Sequence, residues 1–206
     1  MTLIGRYNYT DRQSNKTSIA FGGLYEVETY FKTSKKNYSY LNIGLSDARI
    51  FPKTRINYSF FQNLGNGWET ELGMRYNKRT VNENYSAAIG IGKYIGVGWL
   101  NLKSYMQLGQ KKPYPSLSST YRYYFGSRFD YFSVNAGYGT SPDERETITD
   151  FNNRISLISY RLGAGYNTMK KKKFILGFQT GLNRQEYTPQ KYQTEINFSM
   201  QLQYML

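Results

Sequence analysis

The C-terminal stretch of this chain alternates by side-chain type. Tyr192, Ile196, Phe198, Met200, Leu202, Tyr204 and Leu206 share one parity, and Gln193, Glu195, Asn197, Ser199, Gln201 and Gln203 share the other. Successive side chains of a strand point to opposite faces, so one face seeks hydrocarbon and the other water. The same period recurs along the chain. Trp68, Leu72, Met74 and Tyr76 alternate with Glu69, Glu71, Gly73 and Arg75, and Phe174, Leu176, Phe178 and Leu182 alternate with Lys173, Gly177, Gln179 and Asn183. No stretch has helical spacing, and no apolar run is long enough for a membrane helix. The mean hydropathy is negative, which suits strands that show lipid only at every second residue. Tyr (22) and Phe (12) favour a pleated, half-buried surface, and Gly (19) allows close approach of wall backbones. The reading is all-β: a transmembrane antiparallel up-and-down β-barrel of about 12 strands in an outer membrane. The strands are expected near residues 2–10, 18–32, 37–46, 54–63, 67–78, 84–94, 97–108, 116–126, 129–140, 154–167, 171–184 and 190–206, with ends uncertain by ~2–4 residues.

Connection lengths supply an orientation. Ser34-Lys35-Lys36, Gly65-Asn66, Ile95-Gly96, Gly126-Ser127-Arg128 and Met169-Lys170 read as short turns. The alternate set is longer: Asp11 to Thr17, Asp47 to Lys53, Arg79 to Glu83, Gly109 to Pro115, Ser141 to Asn153 and Gln185 to Pro189. Short periplasmic turns and long outer loops are the rule for such barrels, which places both termini on the periplasmic side. Tyr and Trp near strand ends are expected to form interfacial girdles. Residues 1–206 read as one barrel domain, and the absence of a signal peptide before the first strand suggests the barrel part of a longer precursor.

The apolar face belongs to lipid, so the other face lines the lumen. Its charged residues are Arg6, Glu26, Glu28, Arg55, Glu69, Glu71, Arg75, Lys103, Arg122, Arg161 and Glu195, six basic and five acidic. Tyr30, Tyr38, Tyr40, Trp99, Tyr105, Tyr124 and Tyr131 share that face. Charges in so small a lumen should pair across strands. Pairs and bulky rings together would fill the interior; the alternative is a narrow, mostly basic path for an anionic saccharide. The five Glu, which neutralise most of the Arg and Lys, favour the filled reading.

Several chemistries fall away. The chain has no cysteine and no histidine, which removes disulfides, thiolate metal sites and nucleophile pairs that use His. Neither a metal nor a cofactor is expected. Glu26/Glu28 and Glu69/Glu71 put two carboxylates on one face, as glycoside chemistry requires, but the commoner role of such pairs is to neutralise neighbouring Arg. Gly90-Ile-Gly-Lys93 lacks the Ser/Thr and helix of a phosphate loop and reads as small residues on a crowded inner wall. The formal net charge is +13. The basic residues are scattered or sit in turns with no recognition helix or RNA-binding motif, so they read as solvated turns and lipid-headgroup contacts, and no nucleic acid is expected.

Ordered strings then resemble one family. Tyr25-Glu-Val-Glu-Thr-Tyr30, Tyr38-Ser-Tyr-Leu-Asn-Ile-Gly-Leu-Ser46, Ile50-Phe-Pro52, Gly67-Trp-Glu69, Leu72-Gly-Met-Arg-Tyr76, Gly92-Lys-Tyr-Ile-Gly96 with Trp99, Tyr121-Arg-Tyr-Tyr-Phe125 and Gly137-Tyr-Gly-Thr-Ser-Pro-Asp143 resemble the YaiO-type outer-membrane β-barrel family. The resemblance runs from about Tyr25 to Asp143; beyond it the chain matches only as generic barrel. It implies an outer-membrane location, a barrel often preceded by periplasmic helical repeats, and proximity to exopolysaccharide systems. It carries over no catalytic residue. Glu28, Arg75 and Arg122 lie in the matching strings and are expected to shape the lumen; Lys93 is expected to meet headgroups. The functional expectation is a non-enzymatic narrow pore or export-linked barrel. Its expected partners are outer-membrane lipid and lipopolysaccharide, a saccharide, and a periplasmic or outer-membrane protein. The alternatives are a plugged anchor or scaffold in an envelope complex, an outer-membrane enzyme acting on lipid or glycan, and a lipocalin-like binder with an apolar inner pocket.

Overall fold

The computed structural model describes residues 1–14, 17–80, 83–109, 115–139, 159–188 and 190–205. Among them run twelve strands: β1 (Thr2–Ser14), β2 (Thr17–Lys32), β3 (Asn37–Leu45), β4 (Thr54–Gly65), β5 (Trp68–Lys78), β6 (Glu83–Ile95), β7 (Gly98–Gln107), β8 (Pro115–Tyr124), β9 (Tyr131–Tyr138), β10 (Ser159–Lys170), β11 (Phe174–Thr188) and β12 (Lys191–Met205). Each pairs antiparallel with its chain neighbour, and β1 pairs with β12 to close the barrel. Closure leaves no sheet edge unpaired, which hydrocarbon demands of any strand that crosses it. Both termini and the short turns gather at one end, called here the turn end; the longer connections lie at the loop end.

The alternation sorts as the period requires. Phe21, Val27, Ile43, Leu72, Met74, Ile89, Leu102, Phe132, Leu162, Phe178, Phe198 and Met200 stand exposed around the outside. The inside is mainly polar: Asn8, Glu26, Glu28, Asn42, Arg55, Asn57, Ser59, Glu71 and Arg75 are buried. This is the reverse of a lipocalin-like binder, whose apolar side chains would face inward. Cross-strand ring pairs brace the outer surface: Phe132–Tyr166 and Phe174–Tyr204 toward the turn end, Tyr76–Tyr85 and Tyr138–Tyr160 toward the loop end. Such rings suit the two water–lipid boundaries.

Besides one-residue shifts of the β4–β5 turn to Asn66-Gly67 and of the β6–β7 turn to Gly96-Val97, three boundaries differ from the sequence expectation. β1 runs on to Ser14 rather than ending near residue 10, paired with β2 across a register shift at Arg12/Gln13. β11 likewise continues to Thr188. Past the bilayer the ladder persists while the lipid-facing signal stops, so Asp11-Arg-Gln13 carries no alternation to read. The third difference is the β10–β11 turn, which lies at Lys171-Lys172 and not at Met169-Lys170. Both lysines hold left-handed φ, 51° and 59°, as a two-residue hairpin turn of the primed kind requires. Asn66-Gly67, one residue on from the expected Gly65-Asn66, does the same with φ 49° and 78° and carries the usual residue signature; Lys-Lys carries none. The segment 141–153, expected as the longest outer loop, lies outside the described residues.

The β3–β4 connection turns inward. Ala20, Gly22 and Leu24 are cross-strand partners of Arg12, Thr10 and Asn8, so they share the lumen face. Against them pack Ala48, Ile50 and Phe51, and Leu24 and Ile50 are fully buried. Ser46 ties the loop down: its hydroxyl donates to the Gly23 carbonyl at 2.6 Å and accepts from the Ala48 amide at 3.0 Å. The only apolar cluster of buried residues described thus plugs one side of the loop-end mouth.

Candidate functional site: the barrel lumen

Interior charge is concentrated on β1–β7. At its centre Glu71 accepts from Arg75 at 2.9 Å and from Ser59 at 2.6 Å through one oxygen, and pairs with Lys103 at 2.7 Å through the other. Glycines make the room: a Cβ on Gly73 would meet Arg75 Nη1 at 2.5 Å, and one on Gly90 would meet Glu71 and Lys103 at 3.2 Å. The second group lies between β1, β2 and β3. Arg6 donates to Glu28 at 2.6 Å, which also accepts from Tyr40 at 3.3 Å. Glu26 accepts from Asn8 at 2.5 Å and stands 4.0 Å from both Arg6 and Arg55. Glu69 accepts from Tyr38 at 2.6 Å. Each of the four carboxylates at Glu26, Glu28, Glu69 and Glu71 is therefore engaged by a donor. Taking one partner out of such a buried set costs several kcal/mol, about 3 or more, because the remaining charge has no substitute for water.

The other half of the wall differs. Along β8–β12, Ser116, Ser133, Asn167, Asn183 and Gln203 are neutral and buried, and further inward positions hold Ser118, Thr120, Asn135, Gly163, Gly165, Gln179, Gly181, Asn197, Ser199 and Gln201. The latter are partly accessible, and Gln179 is exposed although it faces inward. A Cβ at Gly181 would meet nothing closer than backbone at 3.5 Å. Arg161 and Glu195 sit in the loop-end half of this wall, Arg161 lying over Gly137, and Glu195 buried opposite Asn183. The section is thus lopsided, with packed ion pairs on one side and mostly small neutral groups on the other.

Rings crowd the turn end. Tyr30–Tyr40, Tyr38–Phe61 and Tyr124–Tyr131 lie 4.9, 4.6 and 5.6 Å apart between centroids, and Tyr94 meets Trp99 at 6.3 Å. Phe61 and Tyr94 were not singled out by sequence, although Tyr94 shares the parity of Gly90 and Gly92, and Phe61 that of Arg55. Arg122 lies among these rings, 4.9 Å from Trp99 and 4.6 Å from Tyr131. Lys93 is on the outer face: its Nζ donates to the Asn66 carbonyl at 2.8 Å and lies 4.5 Å over Trp68. Sequence reasoning also missed the inward loop; its signal was the apolar run Ile50-Phe51-Pro52 with small Ala20 and Gly22 to receive it.

Solved structures with this fold share little sequence with it. An outer membrane channel from Pseudomonas putida F1 superposes with a TM-score of 0.65 at 10% identity, over 100% of this chain and 95% of that one. The NanC porin gives 0.60 at 10% identity, over 99% and 100%. A bacterial polysaccharide outer membrane secretin gives 0.56 at 9%, over 100% and 98%. No curated protein matches the sequence. Residues 1–144 match the YaiO membrane beta barrel domain, and the chain, a bacterial outer-membrane β-barrel, belongs to that family.

Proposed function

We propose that this barrel is a narrow, non-enzymatic pore for saccharide, working in exopolysaccharide or other envelope processes beside a periplasmic or outer-membrane protein partner. One observation carries the reading: the ion pairs pack on β1–β7, while Ser118, Thr120, Asn135, Gln179, Asn197, Ser199 and Gln201 along β8–β12 are neutral and at least partly accessible. Small hydroxyl, amide and glycine positions suit a hydrated sugar, which needs hydrogen bonds without strong retention. The description of one similar fold as a polysaccharide secretin agrees with this class of cargo. Engagement of Glu26, Glu28, Glu69 and Glu71 by donors leaves neither of these two carboxylate pairs poised for acid–base work, which supports a pore over an enzyme. Lys93 over Trp68 and Lys173 5.8 Å from Tyr204 suit headgroup contacts at the lipid boundary.

Planar-bilayer recording tests the pore. The wild-type protein should give small, steady conductance steps, and Gly181→Phe, which projects a ring inward from the neutral stretch of wall, should lower them by about half or more. Folded protein that inserts and does not conduct would overturn the reading. The apolar loop in the mouth and the ring cluster at the turn end favour a second reading, the plugged anchor, which predicts that silent outcome and a co-purifying envelope protein.

A further inference from the structure

We infer that Arg122 and its surrounding rings form a binding point for a carboxylate-bearing saccharide at the turn end of the lumen. This names the cargo class of the proposed pore and rests on that reading for access through the barrel. Among the described residues, the cations that share the inner face are unevenly paired. Arg6, Arg55, Arg75 and Lys103 each stand within 4.0 Å of a glutamate. Arg122 has no carboxylate within that distance among the described residues. The oxygens of Glu28 are taken by Arg6 at 2.6 Å and by Tyr40 at 3.3 Å. Rings hold Arg122 in its place: Trp99 and Tyr131 lie against the guanidinium, and Tyr124 packs edge-on against Tyr131. Its Nε and the Trp99 Nε1 are buried donors with no acceptor in the wall.

A guanidinium fixed by aromatic faces keeps a full charge and its outer N–H edge while losing little rotamer freedom on binding. A carboxylate matches that edge with two parallel hydrogen bonds. Flanking tyrosines offer flat apolar faces with hydroxyl tips, which suit the C–H faces and hydroxyls of a sugar ring. Lysine in this place would provide charge without the planar fork.

The test uses Trp99 as reporter. Trp68 lies on the outer face, so the Trp68→Phe protein, folded in detergent, leaves Trp99 as the sole tryptophan. Titration with D-glucuronate should change its fluorescence saturably, D-glucose should not, and Arg122→Gln in the same background should weaken the midpoint at least about tenfold, with Arg122→Lys between. Heat-modifiable gel migration shows whether each variant folds; if Arg122→Gln does not, the glucuronate–glucose contrast in the parent decides. No saturable change, an equal response to glucose, an equal midpoint with acetate, or an unchanged midpoint in folded Arg122→Gln would each overturn the inference. Conductance without a glucuronate response removes this site and leaves the pore; a response without conductance removes the pore and leaves a site open to solvent.

Discussion

Asp130 shows how one polar residue organises a turn where lipid supplies no order. It follows the Gly126-Ser127-Arg128 turn and carries no alternation signal, yet its carboxylate accepts from the Ser127 amide at 3.0 Å, from the Thr168 hydroxyl at 3.0 Å and from the Met169 amide at 2.7 Å. It thereby clips the β8–β9 turn to β10. These bonds, first the Ser127 side chain and then the Met169 backbone, hold the Asp130 pKa down at about 2. The folded value lies below the unfolded one, so the stabilisation is complete above about pH 4 and is lost as pH falls through about 2. Asp130→Asn should therefore lower stability at pH 7 by about 1 kcal/mol, solvent screening at this exposed turn being allowed for. The difference from wild type should shrink toward zero near pH 2. Urea unfolding from liposomes at both pH values checks this; an equal difference at the two would contradict it.

At the scale of elements, the β3–β4 connection departs most from what alternation implies. A loop between two barrel strands has no obligation to enter the lumen; this one does because Ala20 and Gly22 leave a shallow seat for Ala48, Ile50 and Phe51. A Cβ on Gly22 would fall 2.1 Å from the Ala48 Cβ, so no relaxation short of loop displacement accommodates it. Gly22→Val should release the loop from the mouth, cost about 2 kcal/mol of stability and raise single-channel conductance. A rise in conductance with the fold retained identifies the loop as a constriction; unchanged conductance with the same stability loss means that it packs beside the path. The Lys171-Lys172 turn gives a complementary lesson. Its two residues hold left-handed φ because β10 and β11 pair to their ends, not because lysine favours that conformation.

The whole molecule has a direction, and its lack of cysteine makes that direction measurable. Lys35 lies in the short β2–β3 turn and Asp47 in the β3–β4 connection at the opposite end; both are exposed. Short turns face the periplasm in bacterial barrels. In intact cells a membrane-impermeant maleimide should label Asp47→Cys and leave Lys35→Cys unlabelled until the outer membrane is broken. The reverse pattern would invert the orientation. The basic turn end, with Lys35, Lys36 and Lys170 to Lys173, would then face lipopolysaccharide instead of the inner leaflet, which changes the kind of headgroup it meets.

Strand number, the sense of every strand face and the polar character of the interior were legible from sequence alone. The reason is that a barrel wall in lipid gives each residue one of two environments, and period two records the choice directly. Strand ends beyond the bilayer were not legible, since there both faces meet water and backbone pairing alone sets the length. Nor were the pairings within the lumen. Arg6, Glu26, Glu28, Arg55, Glu71, Arg75 and Lys103 are all readable as inward residues, but strand tilt and register decide which of them meet. Only the closed structure shows these charges engaged with one another on β1–β7, and Arg122 held by rings with no carboxylate within 4.0 Å among the described residues. The alternation determined that this chain is a barrel with a polar interior; the closed tertiary structure decided which charges of that interior meet, because tilt and register, not parity, bring them together.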